Sequence, residues 1–202
     1  MPRVAGQIDV AKSEAILDAA ITVLGEKGPG ASLEEIARRA GVSKQTIYNH
    51  YGSKSDLVLA LCQRRVHEMT APLGTPAALA DPRQALAAFG RALLGKLLDG
   101  RGYGFMRAAM TGAHESPEFG RAVYEAGPKA SRLRLADYLR LETEAGRLAC
   151  PDPLQAAEFF AGMVLGAHQV AALLGVDRGL DEARIASLAD AAAERFLRAY
   201  AP

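Results

Sequence analysis

The sequence predicts an all-α protein, with a small helical unit at the N-terminus and a larger one behind it. Three observations carry this expectation. No run of β-branched and aromatic residues alternates with polar ones over the length of a strand. Apolar residues recur instead at spacings of three and four. Between those segments stand helix punctuation marks: Ser or Asp before the starts, Gly and Pro after the ends. Half of the 202 residues are hydrophobic, which supports a packed core and argues against disorder.

The elements follow in order. Ile16, Leu17, Ala20, Val23 and Leu24 line one stripe of a helix over Val10–Lys27, stopped by Gly28-Pro29-Gly30. Ser32 caps a short helix, with Glu35 at the capping-box position, and Gly41 supplies the turn after Ala40. Ser43 caps a second short helix reaching Tyr51. "GSKSD" breaks it, and Ser55 is expected to cap a longer helix to about Met69. "TAPLGTPAALADP" reads as a linker. Asp81-Pro82 opens a helix to Leu98, because Pro suits the first helical position. "DGRGYG" is expected to interrupt the chain, Ser116-Pro117 to restart a helix, and Ala126-Gly127-Pro128 to kink it. Gly146 closes that region, Asp152-Pro153 opens a strongly apolar helix, and Asp181 opens the last, striped by Ile185, Leu188, Ala192 and Phe196.

A net charge of +1 points to no partner by itself; only local clustering can. Cys62 and Cys150 lie far apart without metal-ligand spacing. They read as free thiols of a reducing compartment, and the N-terminus lacks the apolar run of a signal peptide, so the expected location is the cytoplasm. Phe159–Val176 is near the lower limit of length for a bilayer-spanning helix, but Gly162, Gly166, His168 and Gln169 and the lack of a basic flank argue against it. A helix apolar all round needs cover on every side, which suggests a subunit interface.

The segment "GVSKQTIYNHYGSKSDL" stands out. Ile36–Ser55 contains no acid, yet Arg38, Arg39, Lys44 and Lys54 fall inside it. Two short helices joined at Gly41 form a helix-turn-helix. On the second, Ile47 and Tyr51 share a face that can pack on Val42, Ile36 and Leu33. Lys44, Gln45, Tyr48 and Asn49 are left facing outward. Lys and amide side chains can hydrogen-bond base edges, and Tyr can reach a phosphate or a thymine methyl. Ser43 and the free N–H groups behind it can hold a phosphate, with His50 and Lys54 flanking. Acids would repel the DNA backbone, so their absence is the expected electrostatic mark. A polar surface helix of a bundle explains the same spacing.

"SLEEIARRAGVSKQTIYNHYGSKSDLVLAL", Ser32–Leu61, with "AILDAAITVLGEKGPGAS" before it, closely resembles the DNA-binding domain of TetR-family regulators. The resemblance rests on the series Ala37, Gly41, Val42, Ser43, Ile47, Tyr48, Tyr51, Lys54 and Leu57 and covers roughly seventy residues. Tyr51 stands where Phe is commoner. "FGRAVYEAGPKASRLRLADYL" and "DPLQAAEFFAGMVLGAHQVAALLG" resemble the sensing half of an AcrR/AefR-like subgroup.

The resemblance implies a three-helix helix-turn-helix DNA-binding domain over residues 1–54. A helical ligand-sensing and dimerisation domain would follow over 55–202. It implies a homodimeric, non-enzymatic transcription regulator that binds a double-stranded palindromic operator and answers a small-molecule effector. Usually such a protein is a repressor; an activator or a constitutive binder stays open. Lys44, Gln45 and Asn49 would read bases, while Ser43, Thr46, Tyr48, His50 and Lys54 would mostly grip phosphate. The last two long helices would form the dimer interface, with Ala161, Gly162, Leu165, Gly166, Leu188, Ala192 and Phe196 as contacts.

Competing signals are weaker. "RGYGFMRAA" resembles an RNA-recognition signature but lacks the strands whose aromatics stack on bases. His114 and Glu118 are four apart with Pro117 between them and no third ligand, so no metal site is expected. No order of Ser, Cys, His and Asp suggests a nucleophile, and neither an enzyme nor a cofactor is expected. Met106, Met110, Phe119, Tyr124, Phe159, Met163 and His168 are either core or the lining of an effector pocket. The lack of Trp and the shortage of charge among them favour a mostly apolar or weakly polar effector, and no membrane partner is expected.

Overall fold

The computed structural model describes residues 10–202; the side chains of Pro29, Arg101 and Tyr103 fall outside the described set. The described residues form helices joined by loops, with no strand. It divides into two compact units: residues up to Gln63 with Gly100–Val123, and Arg64–Asp99 with Tyr124–Pro202. The division expected from the sequence follows chain order, whereas compactness returns a later segment to the first unit.

The first unit begins with α1 (Val10–Lys27), which buries Ile16, Leu17, Ala20, Val23 and Leu24. A tight turn over Gly28–Gly30 ends it. In α2 (Leu33–Ala40), Ser32 Oγ accepts from the Glu35 N–H, and Gly41 at φ +68° donates its N–H back to Ala37. A left-handed residue is needed there, and Gly adopts it without a Cβ penalty. α3 (Lys44–Tyr51) starts at Ser43, whose Oγ accepts from the Thr46 N–H at 3.0 Å. α4 (Lys54–Thr70) follows and buries Leu57, Val58 and Leu61 in this unit. Its cap is Ser53, not Ser55: Ser53 Oγ accepts from the Asp56 N–H at 3.1 Å and donates to the Asp56 carboxylate at 2.6 Å. That reciprocal pair wins over the later serine because it satisfies a backbone donor and a side chain together.

The second unit contains a turn over Ala71–Gly74 and the short α5 (Pro76–Ala80), capped by Thr75. The linker expectation is therefore corrected, since this stretch is ordered and Leu73 and Ala78 are buried. α6 (Pro82–Leu98) runs through the middle of the core, burying Leu86, Phe89, Leu93 and Leu94.

The first unit then resumes with α7 (Gly100–Glu115) and α8 (Pro117–Tyr124). The Gly-rich stretch expected to interrupt the chain is thus helical. Its glycines have a packing reason. A Cβ on Gly104 would lie 2.3 Å from the Cα of Gly25, so α7 crosses α1 backbone against backbone. Phe105 is buried; the side chain of Tyr103 lies outside the described ones.

A π-helical turn over Glu125–Lys129 leads into α9 (Ala130–Glu144) of the second unit. Pro128 sits inside it, and the wider turn accommodates a residue that has no N–H and crowds the preceding turn. α10 (Pro153–Leu173) and α11 (Glu182–Ala199) complete this unit. α10 is long and apolar enough by length and composition to cross a membrane. Here its Phe160 lies 6.2 Å from the ring of Phe89 and 5.3 Å edge-on from Phe196. α11 lies close on α6, where a Cβ on Gly90 would meet Ala189 Cβ at 3.1 Å. Glu142, 1% exposed, receives Arg147 Nε at 2.6 Å and Nη2 at 2.8 Å. That bidentate pairing is what makes a buried carboxylate tolerable.

Candidate nucleic-acid interface

The first unit presents α3 as a polar face on an apolar back. Ile47 is fully buried, together with Ile36 and Leu33 of α2. Tyr51 is half-buried and its hydroxyl bonds Ser13 Oγ of α1 at 2.9 Å. That bond accounts for a Tyr where Phe would fill the same space, and only the fold could reveal Ser13 as its partner. Ser43, Lys44, Gln45, Tyr48 and Asn49 are exposed, while Thr46, His50 and Lys54 are partly covered. The eight side chains expected at DNA therefore lie on α3, its cap and the start of α4.

The exposed side chains are held by one another and by α2. Gln45 Nε2 donates to Asn49 Oδ1 at 2.8 Å, which holds both amides one helical turn apart. Ser43 Oγ and Thr46 Oγ1 lie 2.8 Å apart, so the two hydroxyls cluster at the positive end of α3. Lys44 Nζ sits 5.7 Å from the centre of the Tyr48 ring and pairs with the carboxylate of Glu34 on α2. The hydrogen bond from Lys44 lowers the Glu34 carboxyl pKa, and the same bond raises that of the Lys44 ammonium. Glu34 lies two residues before the acid-free window, so the reading of that window missed it. Arg39, expected only as part of the cationic cluster, is engaged by Glu26 of α1 at 2.7 Å.

Lys54 stands at the start of α4. It borders a cavity in the first unit lined by α1, α4, α7 and α8, with Phe119 among its walls. Burial pushes the Lys54 ammonium pKa down, and the charge of Glu115 pushes it partly back up. Phe119 alone of the side chains expected at a pocket borders this cavity. Met106 is partly covered; Met110, Tyr124, Phe159 and Met163 are all exposed. His168 is partly buried and its Nδ1 has no hydrogen-bond partner among the described residues.

The expected dimer contacts separate onto two faces. Ala161, Leu165, Ala192 and Phe196 are buried within the subunit's own core, at 6% exposure or less, and have no surface left to offer a second chain. Their assignment to an interface is corrected on that ground. Gly162 is exposed on the opposite side of α10, beside Phe159 and Met163, which are 53% and 46% exposed, and Gly166 is exposed at a kink where its backbone leaves the helix at φ +44° and ψ −139°. Leu188 is half-buried. Neighbours in sequence on a helix point about 100° apart, so Ala161 and Gly162 cannot serve the same face.

A capped, amide-bearing helix standing on a two-helix base defines a helix-turn-helix DNA-binding protein. Comparison with known proteins refines this. Residues 16–61 match the model of the tetR family of bacterial regulatory proteins. Residues 84–202 match the C-terminal domain of AefR-like transcriptional repressors. The chain belongs to the TetR family and is a transcriptional regulator, not an enzyme.

Among its relatives is the HTH-type transcriptional repressor Rv3405c of Mycobacterium tuberculosis, 33% identical over 129 residues, spanning 63% of this chain and 68% of that one. A TetR-family regulator from Mesorhizobium loti superposes with a TM-score of 0.78 at 28% identity, covering 96% of this chain and 98% of the other. The flavonoid-responsive regulator FrrA superposes with a TM-score of 0.69 at 31% identity, over 95% and 97% of the two chains.

Proposed function

We propose that this regulator works in the cytoplasm as a homodimeric repressor that leaves a near-palindromic operator when a small, largely apolar effector binds. Residues 1–54 read DNA, and residues 55–202 sense the effector and join the subunits. The observation that carries this reading is the exposed face of α3, with Gln45 and Asn49 held together and Ser43 at the cap. Gln45 and Asn49 suit base edges in the major groove, and Lys44 reaches the same groove once it leaves Glu34. Ser43, Thr46, Tyr48, His50 and Lys54 suit phosphates on either side.

The partner surface in this reading is the exposed face of α10. Phe159, Met163 and Val170 leave about half of their surfaces uncovered, at 53%, 46% and 58%. Gly162 has open space around it, so a second helix can approach closely there, and Gly166 at φ +44° kinks α10 about one turn further on. A two-fold dimer presents two α3 helices, so its operator mirrors that symmetry. The flavonoid-responsive relative supports a small-molecule trigger. Selection from random duplex DNA tests the reading: a near-palindrome is expected, and a pool without one would remove it.

A further inference from the structure

We infer that the first unit holds an effector site of its own: the cavity between α1, α4, α7 and α8, which takes a small aromatic molecule bearing a neutral hydroxyl. This rests on the regulator reading and gives it a place and a ligand class. The cavity measures about 250 Å³. An engineered apolar cavity of about 150 Å³ holds benzene, so this one suits a single ring with a few added atoms.

Its walls are apolar and partly aromatic. Leu24 comes from α1, Val58 from α4, Phe105 and Ala109 from α7, and Phe119 from α8. Gly112 lets the Phe119 ring close in, since a Cβ there would fall 2.9 Å from its Cε1. Lys54 and Glu115 add opposite charges to this apolar lining. That pair selects against ions. A carboxylate that suits Lys54 meets Glu115, and an amine that suits Glu115 meets Lys54. A hydroxyl satisfies both, accepting from the ammonium and donating to the carboxylate.

The position also supplies the coupling. Lys54 lies three residues beyond Tyr51, the end of α3, and is one of the five residues expected to grip operator phosphate. A ligand that engages its ammonium in the cavity withdraws it from the DNA backbone. Occupancy and operator binding then oppose each other through one shared side chain, and the opposition is reciprocal.

The test uses the full-length protein with 4-ethylphenol, ethylbenzene and 4-ethylbenzoate, titrated by calorimetry with and without operator. We expect 4-ethylphenol to bind about tenfold tighter than either of the others, and operator to weaken it. Ala109→Leu should abolish binding by filling the cavity. Glu115→Gln, on an exposed rim residue, should reduce the phenol's advantage and serves if the first variant does not fold. Equal binding of all three compounds, no binding of 4-ethylphenol, or 4-ethylphenol binding unchanged in Glu115→Gln overturns the site. Such a result alongside a selected palindrome removes the site alone, whereas failure of the selection removes the regulator reading.

Discussion

Gly104→Ala isolates the crossing of α7 over α1. A Cβ there would lie 2.3 Å from the Cα, 2.4 Å from the carbonyl oxygen and 2.7 Å from the carbonyl carbon of Gly25. All three atoms are backbone, so no side chain can swing aside and the helices must part. Overpacking of this kind costs about 1–3 kcal/mol. Helix propensity works in the other direction, favouring Ala by about 1 kcal/mol. We place the net loss near the upper end, about 2 kcal/mol, because the overlap exceeds 1 Å at ordinary contact distances. Gly95→Ala, in α6 with nothing within 4 Å of its Cβ, is the control. It keeps only the propensity gain, about 0.5–1 kcal/mol. The two variants should therefore differ by about 2–3 kcal/mol. At about 2–4 °C per kcal/mol for a chain of this size, thermal melts at fixed protein concentration should separate by at least about 4 °C. Coincident melts would mean that α7 does not touch α1 at this point.

Four further outcomes are expected. Gln45→Ala should cost about 1–3 kcal/mol at one operator position and relax selectivity there, read by binding to single-base operator variants; an even loss across all variants would make Gln45 a phosphate contact. Glu34→Gln should strengthen DNA binding about two- to fivefold at low salt by releasing Lys44 and removing an anion, and unchanged affinity would mean the ion pair does not compete. Met163→Glu should yield monomer on light scattering, because it puts a charge on the exposed face of α10; a stable dimer would move the interface elsewhere. The pKa of His168 lies below its ordinary 6.5, first through burial and then through Arg178 and Arg184. The folded state therefore takes up its proton later than the unfolded one, and stability present above pH 6.5 declines as pH falls below it. Urea midpoints should drop less on acidification in His168→Gln than in the parent chain, and equal drops would exclude the histidine.

By itself the sequence determined most of the local structure and the outward face of α3. Helix starts at Ser32, Ser43, Asp81, Asp152 and Asp181, and the turn at Gly41, follow from capping chemistry that acts within a few residues. The outward set on α3 follows from helical periodicity, because Ile47 has one face to bury and Lys44, Gln45 and Asn49 have another. Tertiary structure decided what depends on distant partners. "DGRGYG" looks like a break until Gly25 arrives from α1 and makes Gly104 a contact point. Lys44 looks unopposed until Glu34 folds beside it from α2. On α10 nearly every residue is apolar, so periodicity could not tell the face that meets Phe89 and Phe196 from the face left bare. Hydrophobicity identifies a side chain that can be buried; the neighbour that buries it is set by packing between segments far apart in the chain.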